Sequence, residues 1–192
     1  MSCVKFFMLA PIGEIIGLRI RTGKYYTKGF GILPRAIVWG FLGISVKMAF
    51  DIFSAGAPIM INKIWGGFSV DIMGQGFSGF KLLGAFAISF TLNVFYAPVL
   101  MTVHKIFDEH IIMTGGTLSG FFSPVNTGKI FDNINWQVMW GFVYKKTIPL
   151  FWIPMQTINF LLPKEFQVLF AAILGIVLGI ILAIASLKGQ SK

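Results

Sequence analysis

The most regular pattern in the chain is an apolar run near its C-terminal end. Residues 166–187 are 22 consecutive residues without a charge. Because an α-helix rises about 1.5 Å per residue, this run is long enough to cross the roughly 30 Å of hydrocarbon in a bilayer. The run therefore predicts a membrane-spanning helix.

Three other segments predict further spans. Residues 82–103 are also 22 residues without a charge, and Pro98 should kink this helix because proline removes one backbone hydrogen bond. Residues 36–57 and 147–163 complete a set of four spans, and glycine-rich residues 58–81 predict a loop.

The N-terminal apolar stretch, residues 6–18, is too short and too interrupted to span, which favours an interfacial helix. A turn at residues 163–165 would join the last two spans as a helical hairpin. We expect an all-α fold: one integral membrane domain over residues 1–192, with about four transmembrane helices and an N-terminal interfacial helix.

Composition agrees with a membrane protein. The 192 residues are 56% hydrophobic and 12% charged, whereas a soluble domain carries about 25% charged residues. The net charge of +9 would suit nucleic-acid binding, but the hydropathy favours lysines and arginines that orient the chain in a lipid bilayer. We therefore expect the bilayer, and not nucleic acid, as a partner.

The positions of the basic residues predict the orientation. With four spans, one side carries 12 Lys and Arg residues and the other carries three, while Lys47 lies in the membrane. Basic residues accumulate on the cytoplasmic side. We therefore expect cytoplasmic termini and a cytoplasmic connection over residues 104–146, in a prokaryotic plasma membrane or, in a eukaryote, an organellar membrane.

Polar residues inside the predicted spans are the candidate functional residues. They are Lys47, Asp51, Ser89, Asn93, Gln156 and Asn159. Polar groups are costly in hydrocarbon, so they should face the bundle interior or a water-filled path. One interpretation is a pathway for small solutes or ions. The other is interhelical hydrogen bonding together with a Lys47–Asp51 ion pair one turn apart.

Small residues recur every fourth position in the last span, at Ala171, Gly175, Gly179 and Ala183. Such a stripe lets another helix backbone approach closely, either within the chain or in a second copy. A homo-oligomer is therefore one expected assembly.

The sequence offers few candidate metal-binding or catalytic residues. His104 and Asp108 lie one helical turn apart, but a histidine at the membrane interface beside a charged neighbour explains them better than a metal site. Cys3 is the single cysteine, and no catalytic set of Ser, His and Asp can be assembled with specificity. We expect no catalytic residues, no metal and no cofactor.

The segment at residues 147–187 resembles the C-terminal signature of a eukaryotic membrane family. That family includes the mitochondrial inner-membrane protein Mpv-seventeen and the twenty-two-kilodalton peroxisomal membrane protein. The matching residues are Trp152, Gln156, Asn159 and Phe160, with Pro154 and Pro163 each displaced by one position.

Ala97 and Pro98 stand where the family has Gly-Pro, and His104 lies farther from them than is usual. The resemblance implies a small, non-enzymatic membrane protein with four spans, of which some relatives have been described as channel-like. We expect a channel or pore for small solutes or ions. The alternative is a non-catalytic structural or interaction subunit of a membrane complex.

Overall fold

All the regular structure in the described part of the chain is helical. The computed structural model describes the backbone of residues 2–190 and the side chains of residues 2–184. The α-helices are α1 (Ser2–Thr22), α2 (Ile32–Trp65), α3 (Gly79–Phe95), α4 (Ala97–Met113), α5 (Leu118–Phe121), α6 (Thr127–Asn133), α7 (Trp136–Val138), α8 (Ile153–Leu161) and α9 (Lys164–Gln190). A short 3-10 helix (Ile72–Gly74) precedes α3, and a π-helix (Met139–Trp152) lies between α7 and α8. The predicted all-α class is confirmed.

Two helices are each long and apolar enough to cross a membrane. They are α2 and the described part of α9, Lys164–Ile184. Helices α3 and α4 form a third candidate if the pair, bent by 42°, counts as one span. The third predicted span, residues 147–163, is divided between the 14-residue π-helix and the nine-residue α8, neither of which is long enough alone. The count of four spans therefore stays a prediction.

The predicted kink in the second span is confirmed. Helix α3 ends at Phe95 and α4 begins at Ala97, directly before Pro98. Pro98 has no backbone N–H to continue the hydrogen-bond ladder, so the helix axis changes direction there.

The loop predicted to begin at residue 58 begins later in the structure, so the predicted start is wrong. Helix α2 continues through the buried Pro58 and ends at Trp65, where the Gly66 N–H donates to the Asn62 carbonyl at 2.9 Å. Gly66 and Gly67 have φ values of +65° and +66°, which side-chain-bearing residues rarely adopt. These two glycines, and not the proline, therefore end the helix.

Helix α1 is longer than the apolar stretch that predicted it. It covers Ser2–Thr22 and includes Pro11, and it is not among the candidate spans. Its position at the membrane interface stays a prediction.

The chain divides into two compact units, each discontinuous in sequence. The first unit comprises residues up to 44, 103–134 and from 169 onward, and the second comprises 45–102 and 135–168. Helices α2, α4 and α9 contribute residues to both units. The single membrane domain remains a prediction.

The first unit is held in part by close helix contacts at glycines. A Cβ added to Gly43 of α2 would lie 2.7 Å from the Cβ of Phe6, and one added to Gly13 of α1 would lie 3.0 Å from the Cα of Ile176 in α9. Real Cβ atoms essentially never lie as close as the first distance, and the second is tighter than nine in ten real Cβ contacts. Glycine at these positions therefore lets α1 pack closely against α2 and α9.

In the second unit α3 packs against α8. Ala85, Ile88 and Leu92 are the buried apolar positions of α3, at helical spacing. Phe160 of α8 is 3% exposed, and its ring meets that of Phe50 edge-on at 5.1 Å.

Candidate functional site

Lys47 and Asp51 form an ion pair on the exposed face of α2. The Lys47 ammonium donates to the Asp51 carboxylate, and their side chains are 45% and 63% exposed. The buried positions Val46, Ala49 and Phe50 define the opposite face of this helix. The apolar positions beside the pair turn it to the surface of the single chain and away from its interior. That the pair lines a water-filled path stays a prediction.

The four uncharged polar residues lie in the interior of the second unit. Ser89, Asn93, Gln156 and Asn159 are all at most 6% exposed. The Ser89 hydroxyl donates to the Ile153 carbonyl at 2.7 Å and so links α3 to α8. The Asn93 amide donates to the Ser89 carbonyl at 2.9 Å, and the Asn159 amide donates to the Gln156 side-chain oxygen at 2.7 Å.

Two polar atoms remain without a hydrogen bond in this core. Among the described residues, they are the side-chain oxygen of Asn159 and the indole Nε1 of Trp152, both buried. A buried polar atom left unpaired costs about 1–3 kcal/mol. Of these hydrogen bonds, the one from Ser89 joins two helices and the other two lie within one helix each, and Lys47 and Asp51 take part in none of them.

The small-residue stripe of α9 does not present one uniform surface. Ala171 and Ala183 are buried, at 4% and 0% exposure. Gly179 approaches α1, because a Cβ added to Gly17 would lie 3.8 Å from the Gly179 carbonyl oxygen. Gly175, by contrast, is exposed, and a Cβ added to it would meet nothing within 4 Å. The described structure therefore gives an intramolecular contact for Gly179 and none for Gly175.

A network of charged residues around the buried Arg35 lies in the first unit and could not be predicted from the sequence. Glu14 of α1 accepts from Arg35 of α2 at 2.5 Å, and its other oxygen accepts from the Trp39 indole at 2.5 Å. The Nε2 atom of His104 in α4 lies 3.3 Å from that second oxygen, Glu14 Oε1. Three helices therefore meet at one carboxylate.

Arg35 is the centre of this network. Its side chain is 8% exposed and also pairs with Asp108 of α4, one turn beyond His104. Its Nε donates to the Phe30 carbonyl at 2.7 Å, and its guanidinium lies 4.6 Å from the Phe30 ring centroid. Lys105 extends the network through Asp108 at 3.5 Å and through Glu109 at 2.7 Å.

The environment of Glu14 favours its ionised form. Burial would raise the pKa, but hydrogen bonding to His104, the charges of Arg35 and His104, and the Trp39 hydrogen bond together outweigh burial and bring the pKa to about 2. Glu14 is therefore a permanent anion near neutral pH and is suited to holding Arg35, not to carrying protons.

The sequence contained a weak signal for this network. Sequence analysis paired His104 with Asp108, and both do lie in the network, but each is joined to a partner on another helix. Within the described residues, no cluster of three or more His, Cys, Asp or Glu side chains is arranged to hold a metal ion. The network is one of ion pairs between opposite charges.

Comparisons with protein-family models, with curated proteins and with solved structures found no match to this chain. The resemblance to the Mpv-seventeen family therefore stays a prediction from the C-terminal residues.

Proposed function

We propose that the protein is a non-catalytic interaction subunit of a membrane assembly, and that it associates with a second copy of itself through the exposed face of α2. The observation that carries this proposal is the Lys47–Asp51 pair on the outer surface of a helix long and apolar enough to span.

The two charges lie deep in the predicted span, where a charge is costly. Lys47 is the twelfth of the 22 residues in the predicted span 36–57, so both charges lie near its middle. A charged side chain at the centre of a membrane helix costs roughly 2.5–3.5 kcal/mol on insertion scales. Pairing within the helix offsets part of this cost, and protein covering the pair would offset more than lipid can.

The neighbouring surface suits a helix partner. Met48 and Ile52 are 59% and 63% exposed beside the pair, and one turn later come the exposed Ala55 and Gly56. A Cβ added to Gly56 would meet nothing within 4 Å, so the backbone is open to close approach there.

A second copy is the occupant that the charges fit. Two copies inserted with the same orientation are related by a two-fold axis along the bilayer normal, so each Lys47 lies level with the Lys47 of the other copy. The Asp51 of the other copy lies about 6 Å farther along the helix, within reach of the long lysine side chain, so each ammonium can pair across the interface. The same surface patch would serve on both molecules.

Disulfide cross-linking in proteoliposomes tests the contact. In a chain with Cys3 replaced by Ser, we expect Met48→Cys to give a covalent dimer on oxidation. Phe90→Cys, at a 46% exposed position on α3, is the matched control and should stay monomeric. Equal cross-linking of both variants, or of neither, would contradict a specific α2 interface.

The channel expected from the sequence remains an untested prediction. It required the pair and the buried amides to line one path, whereas their hydrogen bonds are separate. Flux into liposomes that disappears in the double variant Lys47→Leu, Asp51→Leu while the protein stays folded would favour the channel over the subunit.

A further inference from the structure

The second unit contains a cavity that has an apolar floor and two lysines at its rim. Its volume is about 190 Å³, which exceeds the 150 Å³ or so of an engineered cavity that admits benzene. Ile88 and Phe160 lie in the apolar floor of the cavity and are buried, at 0% and 3% exposure. The cavity can therefore accept a small apolar group.

Two lysines lie at this cavity and no Asp or Glu is among the described residues that line it. They are Lys81, near the start of α3, and the exposed Lys164, which begins α9. The Lys81 ammonium donates to the Gln75 carbonyl at 2.6 Å, which leaves two of its three donors for another acceptor. Glu165 follows Lys164 in the chain but does not line the cavity.

A buried amide lies beside these charges. Gln167 of α9 lines the cavity at 8% exposure, and its nitrogen donates to the Leu162 carbonyl at 3.0 Å. This bond fixes the side chain to the turn between α8 and α9, so the cavity wall is held in place on that side.

The lysines also mark the depth of the cavity. Each stands at the beginning of a candidate membrane span, α9 in one case and the bent pair of α3 and α4 in the other. The ends of spans lie at the level of the lipid headgroups. A basic rim over an apolar floor at that level matches an anionic lipid, with its phosphate outside and its acyl chain inside.

We propose that this cavity is a binding site for an anionic phospholipid, whose phosphate lies between Lys81 and Lys164 and whose acyl chain contacts the half-buried Leu161 and Leu162. The cavity adjoins the α2 contact surface through Ser54 but shares none of the residues named for that surface, and it is tested by lipid binding and not by cross-linking, so either proposal can fail without the other.

Native mass spectrometry of the purified protein tests the site, with phosphatidylglycerol, phosphatidylcholine and inorganic phosphate added separately at equal ionic strength. We expect retained phosphatidylglycerol and little retention of the other two. The double variant Lys81→Gln, Lys164→Gln should bind phosphatidylglycerol roughly 25-fold more weakly, because each lysine near a membrane surface contributes about fivefold.

Two further variants keep the test decisive. Lys63→Gln with Lys129→Gln removes two exposed lysines that do not line the cavity and should bind like the parent. Ser54→Leu narrows the cavity without changing charge and should also weaken binding, provided that the variant melts like the parent.

Each other outcome overturns the proposal in a distinct way. Equal weakening in the two lysine double variants would mean nonspecific charge attraction. Retention of inorganic phosphate as strong as that of phosphatidylglycerol would mean a simple anion site, without a role for the acyl chain.

Discussion

Replacing the carboxylate of Glu14, which is 18% exposed, should destabilise the first unit. In Glu14→Gln the side chain keeps its shape, and its amide oxygen can still accept from the Trp39 indole. The variant loses the negative charge that faces Arg35 at 2.5 Å. Asp108 still pairs with Arg35, so the arginine is not left wholly without an anion.

The size of the effect follows from the pKa of Glu14. Folding lowers that pKa from 4.5 to about 2, and each pKa unit corresponds to about 1.36 kcal/mol. The ionised form of Glu14 therefore contributes about 3 kcal/mol to the free energy of unfolding near neutral pH. This agrees with the 3–5 kcal/mol or so that removing one partner of a buried ion pair costs.

The same shift predicts the pH dependence. Because the pKa is lower in the folded state, the contribution is complete above about pH 4.5 and declines as the pH falls toward 2. In Glu14→Gln this part of the acid destabilisation should be missing.

Thermal unfolding in detergent, followed by tryptophan fluorescence at pH 7, 5 and 3, measures both effects. Asp132→Asn, at an exposed position in the same unit, is the matched control and should melt like the parent at pH 7. If Glu14→Gln also melts like the parent at pH 7, or shows the same loss between pH 5 and pH 3, then the buried ion pairs do not stabilise the fold as argued.

Three further predictions concern the packing, the exposed pair and the topology. Gly179→Leu should lower the melting temperature, because overpacking against α1 costs about 1–3 kcal/mol. Gly175→Leu meets open space and should not lower it, so equal melting of the two variants would refute the assigned contact. Asp51→Ala should lower yield and stability by leaving Lys47 without its partner. The double variant Lys47→Leu, Asp51→Leu should restore stability. If it is as unstable as Asp51→Ala, a purely pairwise role is excluded. A cysteine at Ser119, with the native cysteine replaced, should resist an impermeant thiol reagent outside intact cells, and labelling there would reverse the predicted orientation.

Local pattern was sufficient for the helices themselves. The uncharged run of α9 and the proline in α4 each act through the backbone of their own segment, so the spanning helix and the kink could be predicted without knowing any neighbour. The end of α2 was misplaced because the glycine-rich composition of residues 58–81 does not show where the helix stops, whereas the glycine pair after Trp65 does.

Tertiary structure alone decided which side chains meet. Glu14, Arg35 and His104 are separated by up to 90 residues, and no periodicity in the sequence links them. The outward direction of Lys47 and Asp51 likewise depends on which face of α2 the neighbouring helices cover. Spacing determines that residues share a helix face, but the partner of that face is fixed by packing between segments distant in sequence. The sequence by itself therefore determined an all-helical, apolar chain suited to a membrane. The ion network around Arg35, the buried amides and the lysine-rimmed cavity arise only when those helices pack.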